Sequence, residues 1–215
     1  MKKFLIVLFL SFLFSSGVWA SKIIIPFDSE EELRFFYPAQ TGNCGTLSNW
    51  HLISDIKAPS GRKALEVVPN PRTNYGSCFN VFLYRGFQAK DLKISVWVRA
   101  VKGREDQGGG PIWRAKDANN YYVVRWNPQE NNFRLYYVKN ARRKMLASAK
   151  VRSNPHKWHR IVVEQRGDFI KCYFDGHLLI QKQDRTFSDP GTIGLWSKAD
   201  AQTAFDMLEI KIISP

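Results

Sequence analysis

The sequence predicts an all-β protein in which two antiparallel sheets pack face to face as a sandwich. Eleven short segments rich in β-branched and aromatic residues follow one another, several with alternating polarity. Turn-forming residues separate them, and long amphipathic helical patterns are missing. The 215 residues, 44% hydrophobic and 24% charged, are typical of a globular protein. This composition excludes coiled-coil, collagen-like and multi-pass membrane proteins.

Residues 1–20 are typical of a secretory signal peptide. Lys2 and Lys3 form a positive start, Phe4–Phe14 is a largely apolar run, and Val18–Ala20 resembles a signal-peptidase site. A transmembrane anchor is the alternative, but the run is shorter than the roughly 20 residues that span a bilayer. We therefore expect a periplasmic or secreted protein without a stable membrane anchor.

Residues 21–215 are expected to form a single β-sandwich domain, because no linker-like stretch interrupts the pattern of strands. One helix signal occurs, the capping-box pattern Ser29–Glu32. It leads into Leu33–Phe36 and ends before Pro38, so the predicted helix has two turns at most.

The remaining chain is read as strands joined by turns. The short turns Arg166–Asp168 and Asp175–Gly176 predict hairpins, and Asn127–Asn131 predicts a longer connection. The predicted strands are Trp50–Ile56, Ala64–Val68, Phe79–Tyr84, Leu92–Val101, Pro111–Lys116, Asn120–Trp126, Asn132–Val138, Trp158–Gln165, Phe169–Phe174, Thr192–Trp196 and Ala204–Ile213.

The chain has three cysteines. Cys44 and Cys78 lie in glycine-containing, turn-like segments, whereas Cys172 shares strand parity with Ile170 and Phe174. Because an exported chain meets an oxidising compartment, we predict a Cys44–Cys78 disulfide with Cys172 buried and free. Three free thiols are the alternative.

The chain is strongly basic, with a net charge of +13, or +11 without Lys2 and Lys3. Residues 134–171 hold eleven lysines and arginines against Glu164 and Asp168. This charge would suit nucleic acid, but we expect an exported protein to meet acidic polysaccharides or anionic envelope polymers and no nucleic acid. Solvated basic residues that protect strand edges are the alternative explanation.

Several motifs occur in a recognisable order: Trp113–Tyr122, Lys157–Arg160, Gly167–Asp168, Phe174–Gly176, Gly194–Asp200 and Phe205–Asp206. In this order the chain resembles the concanavalin A-like lectin/glucanase superfamily. It is most similar to the laminin G-like and 3-keto-disaccharide hydrolase-type domains of exported bacterial proteins, over about Asp91–Ile213. The resemblance implies a jelly roll of two curved antiparallel sheets, with a glycan site on the concave face or the rim loops. Unlike family 16 glucanases, the chain has no strand with the pattern Glu-x-Asp-x-Glu, which counts against that retaining chemistry.

Strand parity yields a candidate ligand face. Arginines and aromatic residues occupy the second face of several predicted strands: Trp97, Arg99, Arg114, Tyr121, Arg125, Arg134 and Tyr136. If these faces belong to one sheet, the rings can stack on sugars while the arginines bind hydroxyl or carboxylate groups. Ordinary cross-strand Arg–Tyr pairs are the alternative.

Three acids are the first candidates if the protein is a glycosidic-bond-cleaving enzyme. Parity directs Glu164 toward the candidate ligand face and indicates that Asp206 is buried among the apolar residues of its strand, and Asp117 is the third. Asp28 and Asp206 lie near opposite chain ends and are candidates for a calcium tie, with a hydrogen-bonded structural aspartate as the alternative. No zinc, nucleotide or Ser-His-Asp pattern occurs, so no other cofactor is expected.

These observations favour an exported, non-catalytic carbohydrate-binding domain that recognises anionic glycans. The first alternative is a glycoside-cleaving enzyme of the 3-keto-disaccharide hydrolase type, which the resemblance implies. The second is a structural or protein-interaction β-sandwich without a glycan ligand.

Overall fold

The computed structural model describes residues 22–42, 44–70 and 72–213, which form two antiparallel sheets. The predicted signal peptide lies outside the described residues. In chain order the elements are β1 (Lys22–Ile25), α1 (Glu30–Leu33), β2 (Phe36–Thr41), β3 (Asn49–Ser54), β4 (Lys63–Val68), β5 (Phe79–Tyr84), β6 (Leu92–Lys102), β7 (Gly110–Asp117), β8 (Asn120–Asn127), β9 (Asn132–Lys139), β10 (Arg142–Lys150), β11 (His159–Arg166), β12 (Phe169–Phe174), β13 (His177–Gln183), β14 (Thr192–Lys198) and β15 (Gln202–Ile212). Among these elements, no helix is long and apolar enough to span a membrane.

The strands are divided between two sheets. Sheet A has the order β13-β12-β11-β6-β15-β4-β3, with β1 paired to the last part of β15. Sheet B has the order β10-β9-β8-β7-β14-β5-β2. The predicted all-β, two-sheet antiparallel architecture is confirmed, and β11, β12 and β13 follow one another as the two predicted hairpins.

All eleven predicted strands occur, with ends that differ by up to two residues, but β1, β2, β10 and β13 were not predicted. All four lie at sheet edges, since β1 pairs with β15 alone. Strand β2 contains Pro38, which an edge strand tolerates because one side of its backbone needs no ladder hydrogen bonds. Strand β10 carries Arg142, Arg143 and Lys144, and charged residues of this kind discourage pairing with another chain.

Helix α1 is a single turn at the entrance to β2. The Glu32 carboxylate accepts hydrogen bonds from the backbone N–H groups of Asp28 (2.8 Å) and Ser29 (3.4 Å). This is the carboxylate half of the predicted capping box. The helix is shorter than the two-turn limit because Phe36 already belongs to β2.

The main core lies between the sheets and follows the predicted parity of β6. Ile94, Val96 and Val98 are fully buried in the same cluster as Trp113 and Trp126 of sheet B. Burying a large apolar side chain contributes about 1.5–3 kcal/mol each, so this interface is the main source of stability.

A second buried cluster fills the outer face of sheet B. Tyr121, Val123 and Trp196 are fully buried there although they point away from the main core. The sheet curves so strongly that the Thr41 hydroxyl, at the end of β2, donates to the Ala118 carbonyl in the β7–β8 turn (2.6 Å). The centre of this outer face, where Tyr121 and Tyr136 of the candidate ligand face lie, is therefore packed with side chains.

Asp206 is buried as predicted, but the predicted parity is wrong. A register shift at Met207, which has a positive φ of 48°, brings both Phe205 and Leu208 into the main core. Asp206 instead lies opposite Trp97, on the outer side of sheet A.

The predicted disulfide is confirmed. Cys44 and Cys78 are bonded, with a Cα–Cα distance of 5.1 Å, and they tie the loop after β2 to the start of β5. Cys172 is free and buried, and burial raises the pKa of its thiol.

Replacing both bonded cysteines, Cys44→Ser/Cys78→Ser, is expected to lower the free energy of unfolding by about 3–4 kcal/mol. The bond spans 34 residues, and its removal returns that loop's entropy to the unfolded chain. Urea unfolding measures the difference. Thiol titration of unfolded, unreduced wild type should find one reactive thiol, and two or more would contradict the assignment.

Candidate functional site

The seven residues predicted to share one ligand face lie in three places. Trp97 and Arg99 lie on the outer side of sheet A, Arg114 lies in a bulge of β7, and Tyr121, Arg125, Arg134 and Tyr136 lie on the outer side of sheet B. The expectation of one shared surface is wrong, because parity identifies the face of a strand but not the sheet to which it belongs. Ligand binding by any of the seven stays a prediction.

Arg114 is a buried arginine that connects strand β7 to neighbouring loops and turns through hydrogen bonds. It is 1% exposed and sits in the β7 bulge with a positive φ of 46°. Its guanidinium donates to the carbonyls of Lys90 (2.8 Å), Phe187 (2.6 Å) and Gly167 (2.7 Å), and to the carboxylate of Asp91 (3.2 Å). Each of its three guanidinium nitrogens donates to a protein oxygen, so Arg114 links β7 to segments of the chain on both sides of it.

Arg114→Met is expected to lower the free energy of unfolding by about 3–5 kcal/mol, because three carbonyls and a carboxylate lose their buried partner. Arg134→Met, at a half-exposed arginine, is the matched control and should cost less than about 1 kcal/mol. Denaturant unfolding compares them. An equal loss of unfolding free energy in the two variants would show that the buried hydrogen bonds of Arg114 do not stabilise the fold.

The outer side of sheet B carries a polar network that we call the Asp106 cluster, consisting of Asp106, Arg125, Asn127, Glu130, Asn132, Arg134 and Lys198. The Asp106 carboxylate accepts from Arg125 (3.0 Å), Asn127 (2.9 Å) and Lys198 (2.9 Å). Asp106 and Arg125 are each 1% exposed, so this ion pair lies beneath the surface. Burial of a carboxylate is costly unless partners of this kind pair with it and hydrogen-bond to it.

Glu130 extends the Asp106 cluster toward solvent. Its carboxylate accepts from Arg125 (2.9 Å), Arg134 (2.9 Å) and Asn132 (2.7 Å). Burial alone would raise the pKa of Glu130, but the hydrogen bond from Asn132 and the two positive charges outweigh burial and lower the pKa. Glu130 therefore stays ionised and acts as an acceptor.

Arg143 lies across the aromatic side chains of the second cluster. Its guanidinium carbon is 4.5 Å from the ring centre of Tyr136, 4.9 Å from that of Phe79 and 5.9 Å from that of Trp196. Burial lowers the pKa of this guanidinium. Within the described ranges it forms no ion pair, and its buried Nη1 has no hydrogen-bond partner. Arg143 thus carries a positive charge that no carboxylate contacts directly in the described ranges, although the charge of Asp106 acts on it from a greater distance.

A pocket of about 240 Å³ opens at the rim of the same face. We call it the rim pocket; its lining is Thr41, Gly42, Cys44, Thr73, Tyr75, Ser77, Cys78 and Ala141. Thr73 and Ser77 contribute hydroxyl-bearing side chains to the lining, and the disulfide joins two of its segments. Ala141 is two residues from Arg143. The Tyr75 residue is 67% exposed. This is a small polar concavity with an aromatic ring at its edge.

Two residues of the candidate ligand face, Trp97 and Arg99, lie on the outer side of sheet A and contact other protein groups there. Arg99 lies 2.8 Å from the Asp55 carboxylate and 5.1 Å from the ring centre of Trp158. Trp97 is half-buried between neighbouring strands. Arg99 and Trp97 are therefore remote from the rim pocket and contact protein groups.

The three candidate catalytic acids do not converge. Asp117 lies in sheet B, where it accepts from the backbone N–H of Asn119 (2.6 Å). Glu164 lies on the outer side of sheet A, where its carboxylate is 3.2 Å from the Arg166 guanidinium. Strand spacing and register place its Cα atom roughly 16 Å from that of Asp206. Two carboxylates that cleave one glycosidic bond lie about 5–10 Å apart. These three acids offer no such pair.

Asp28 and Asp206 come close together at the outer side of sheet A. Asp206 accepts from the backbone N–H groups of Ser60 (2.7 Å) and Met207 (2.8 Å), and Asp28 has a buried carboxylate oxygen without a partner. Burial, with a smaller contribution from the charge of Asp28, raises the pKa of Asp206 to about 6. Calcium takes six to eight oxygen ligands, and the described residues contain no group of three acidic, histidine or cysteine side chains that could hold a metal. The calcium tie stays a prediction.

The raised pKa of Asp206 predicts a pH dependence of stability. The folded protein binds this proton more tightly than the unfolded chain, so stability is gained as pH falls from about 7 to about 4. Relative to Asp206→Asn, wild type should gain about 2 kcal/mol of unfolding free energy over this range, in the presence of a chelator. Urea unfolding at four pH values measures the gain. Parallel pH profiles for the two proteins would contradict it.

Sequence reasoning missed Asp106, Lys198, Tyr75 and Arg143 as site residues. Asp106 and Tyr75 come from loops, which have no periodicity to assign them to a face. Arg143 was visible in a basic run, but its strand was not predicted, and its position over the rings depends on the curvature of sheet B.

Comparison with known proteins identifies the fold. No protein-family model and no curated sequence matches the chain. The carbohydrate-binding module CBM66 from Bacillus subtilis superposes with a TM-score of 0.63 at 19% identity, covering 80% of this chain and 94% of that chain. The cellulose-induced protein Cip1 gives a TM-score of 0.63 at 16% identity, covering 87% and 96%. Domain 4 of the GH43 extracellular arabinanase AbnA from Geobacillus stearothermophilus, solved with arabinotriose, gives 0.52 at 15% identity, covering 81% and 82%.

At these identities the superpositions establish the fold alone. The chain has the jelly-roll sandwich that carbohydrate-binding modules and a galectin-like protein share, in agreement with the resemblance to the concanavalin A-like superfamily. The closer likeness to laminin G-like or 3-keto-disaccharide hydrolase-type domains stays a prediction.

Proposed function

We propose that this chain is a non-catalytic carbohydrate-binding domain whose ligand occupies the rim pocket. The observation that carries the proposal is a concavity with the hydroxyl-bearing residues Thr73 and Ser77 in its lining and the exposed ring of Tyr75 at its edge. Hydroxyl groups both donate and accept hydrogen bonds, and an aromatic ring stacks on the apolar face of a sugar. Structural neighbours named as carbohydrate-binding modules support the same class of ligand.

The dimensions and rigidity of the rim pocket suit a small part of a glycan. Pockets of about 300–1,000 Å³ hold drug-sized ligands, so a pocket of about 240 Å³ matches one sugar unit or a chain end. The Cys44–Cys78 bond joins two segments of its lining, which reduces the ordering cost of binding.

We propose further that the preferred glycan carries a carboxylate. Arg143 is two residues from Ala141 of the rim pocket, has no carboxylate within 4.0 Å in the described part of the chain, and packs over Tyr136, Phe79 and Trp196. A guanidinium binds a carboxylate through parallel charge-assisted hydrogen bonds. The net charge of +13 favours approach of an anionic polymer.

The carboxylates on the outer side of sheet B favour binding without catalysis. A glycosidase needs a general acid with a raised pKa, whereas Glu130 has a lowered pKa and Asp106 is held by three cationic or amide donors. Asp206 has a raised pKa, but it lies on the opposite sheet beneath Ser60. The signal-like residues 1–20 and the disulfide support export to the periplasm or beyond.

A glycan array followed by titration of the hits tests this proposal. Tyr75→Ala should weaken binding about tenfold, because it removes a stacking ring. Phe169→Ala is the matched control: Phe169 is 56% exposed and lies at a hairpin of sheet A, so its removal should leave affinity unchanged. Equal effects of the two variants, or no glycan bound by wild type, would remove the rim pocket as the site and leave a structural or protein-interaction role.

The anionic preference has its own test. Arg143→Gln should reduce affinity for a uronate-bearing hit about tenfold while changing affinity for its neutral reduced analogue less than about twofold. Product analysis after long incubation accompanies the titration. Equal losses for both glycans would contradict the carboxylate contact, and cleavage products would support the enzymatic alternative.

A further inference from the structure

Three lysines form a row across neighbouring strands on the outer side of sheet A. Lys22 of β1 pairs with Lys211 of β15, and Lys211 pairs with Lys93 of β6. We call these residues the lysine row. Directly opposed side chains in an antiparallel pair have Cβ atoms about 4.5–5.5 Å apart, and like charges in this position are destabilising. All three residues are exposed.

Protection of an edge explains Lys22, because β1 pairs with β15 alone, but it does not explain Lys93 and Lys211. Strands β6 and β15 are interior strands of sheet A, each paired on both sides along this stretch. Lysines that discourage aggregation are expected on edge strands instead. The repulsion therefore needs another reason.

A cleft of about 330 Å³ opens beside the lysine row, with Ser95, Arg160 and Glu209 in its lining. Glu209 is the single carboxylate of the lining and is shared between Lys22 (3.4 Å) and Arg160 (3.5 Å). Within the described ranges, Lys93 and Lys211 have no carboxylate within 4.0 Å. Within the lining, four cations thus face one anion. Glu164 of β11 pairs directly with Lys93 outside the lining, but its carboxylate lies beside Arg166 (3.2 Å).

Arg160 is positioned for a further acceptor. Its Nη2 donates to the Ser95 hydroxyl (3.1 Å), which holds the guanidinium at the cleft, and its buried Nε has no partner in the described part of the chain. The lining residues contain no further carboxylate to balance the positive charge, because Glu209 already contacts both Lys22 and Arg160.

We propose that this cleft is an anion-binding site that takes a phosphate group. A phosphate carries up to two negative charges and three or more acceptor oxygens, so it offsets most of the lining's excess of three positive charges and offers acceptors to separate lysine donors. A single carboxylate carries one charge and would leave most of the repulsion in place. The cleft lies on the opposite sheet from the rim pocket, so this inference does not rest on the proposed glycan site.

Calorimetric titration with inorganic pyrophosphate tests the site. Lys93→Gln/Lys211→Gln should reduce the affinity at least tenfold. Lys139→Gln/Lys157→Gln, which removes the same charge at exposed lysines outside the cleft, should reduce it less than about twofold. Equal losses for the two variants, or no binding by wild type at millimolar pyrophosphate, would overturn the proposal.

Thermal unfolding of the same variants separates a binding role from a structural one. Lys93→Gln/Lys211→Gln relieves like-charge repulsion, so its midpoint without ligand should equal or exceed that of wild type. Pyrophosphate should raise the wild-type midpoint and leave that of the variant unchanged. A lower midpoint for the ligand-free variant would show that the lysines serve stability and would overturn the proposal.

Two further titrations distinguish the sources of the phosphate. Vesicles of phosphatidylcholine with phosphatidic acid represent a lipid headgroup, and soluble tripolyphosphate represents a free or polymer-borne phosphate. Retention by the vesicles that depends on Lys93 and Lys211 would assign the site to lipid. Dependence seen with tripolyphosphate alone would assign it to soluble phosphates. Loss of the lysine dependence with both probes would overturn the site.

Discussion

Closure of the outer face of sheet B is the constraint on which the proposed recognition depends. The Tyr121 hydroxyl contacts that of Thr41 (2.6 Å) and accepts from the Trp196 indole (3.1 Å), so strands β8, β2 and β14 meet across the face. Because these polar groups satisfy one another, the rings are buried without the roughly 1–3 kcal/mol cost of an unpaired group. A filled face leaves ligand contacts to its rim, where loops and the disulfide meet.

Charge is distributed differently on the two sheets. On sheet B, the carboxylates of Asp106 and Glu130 neutralise Arg125, Arg134 and Lys198. On sheet A, the lysine row and Arg160 outnumber the nearby carboxylates of Glu209 and Glu164. The basic stretch 134–171, which dominates the charge along the sequence, therefore does not correspond to one basic surface. Residues from distant parts of the chain create the strongest uncompensated charge.

The sequence was sufficient for the sandwich but not for the site. Alternation in β6 assigned Val96 and Val98 to the core, because burial of one face is a local property of a strand. Parity placed Arg99 and Arg125 on outer faces as well, but it carried no information that β6 and β8 belong to different sheets. The predicted parity of Asp206 was wrong because the strand has a bulge at Met207, and the sequence pattern does not predict the positive φ of that residue. Disulfide pairing was predictable since just two of the cysteines lay in turns.

Hydrogen exchange at the Trp196 indole N–H tests the closed face most directly. Comparison of wild type with Trp196→Phe assigns this resonance by NMR, and its exchange rate reports whether the face is filled. We predict protection comparable to that of backbone amides in the central strands, because the group is fully buried and bonded to Tyr121. Exchange as fast as that of a solvent-exposed indole would contradict the closed face and would restore an open groove on sheet B.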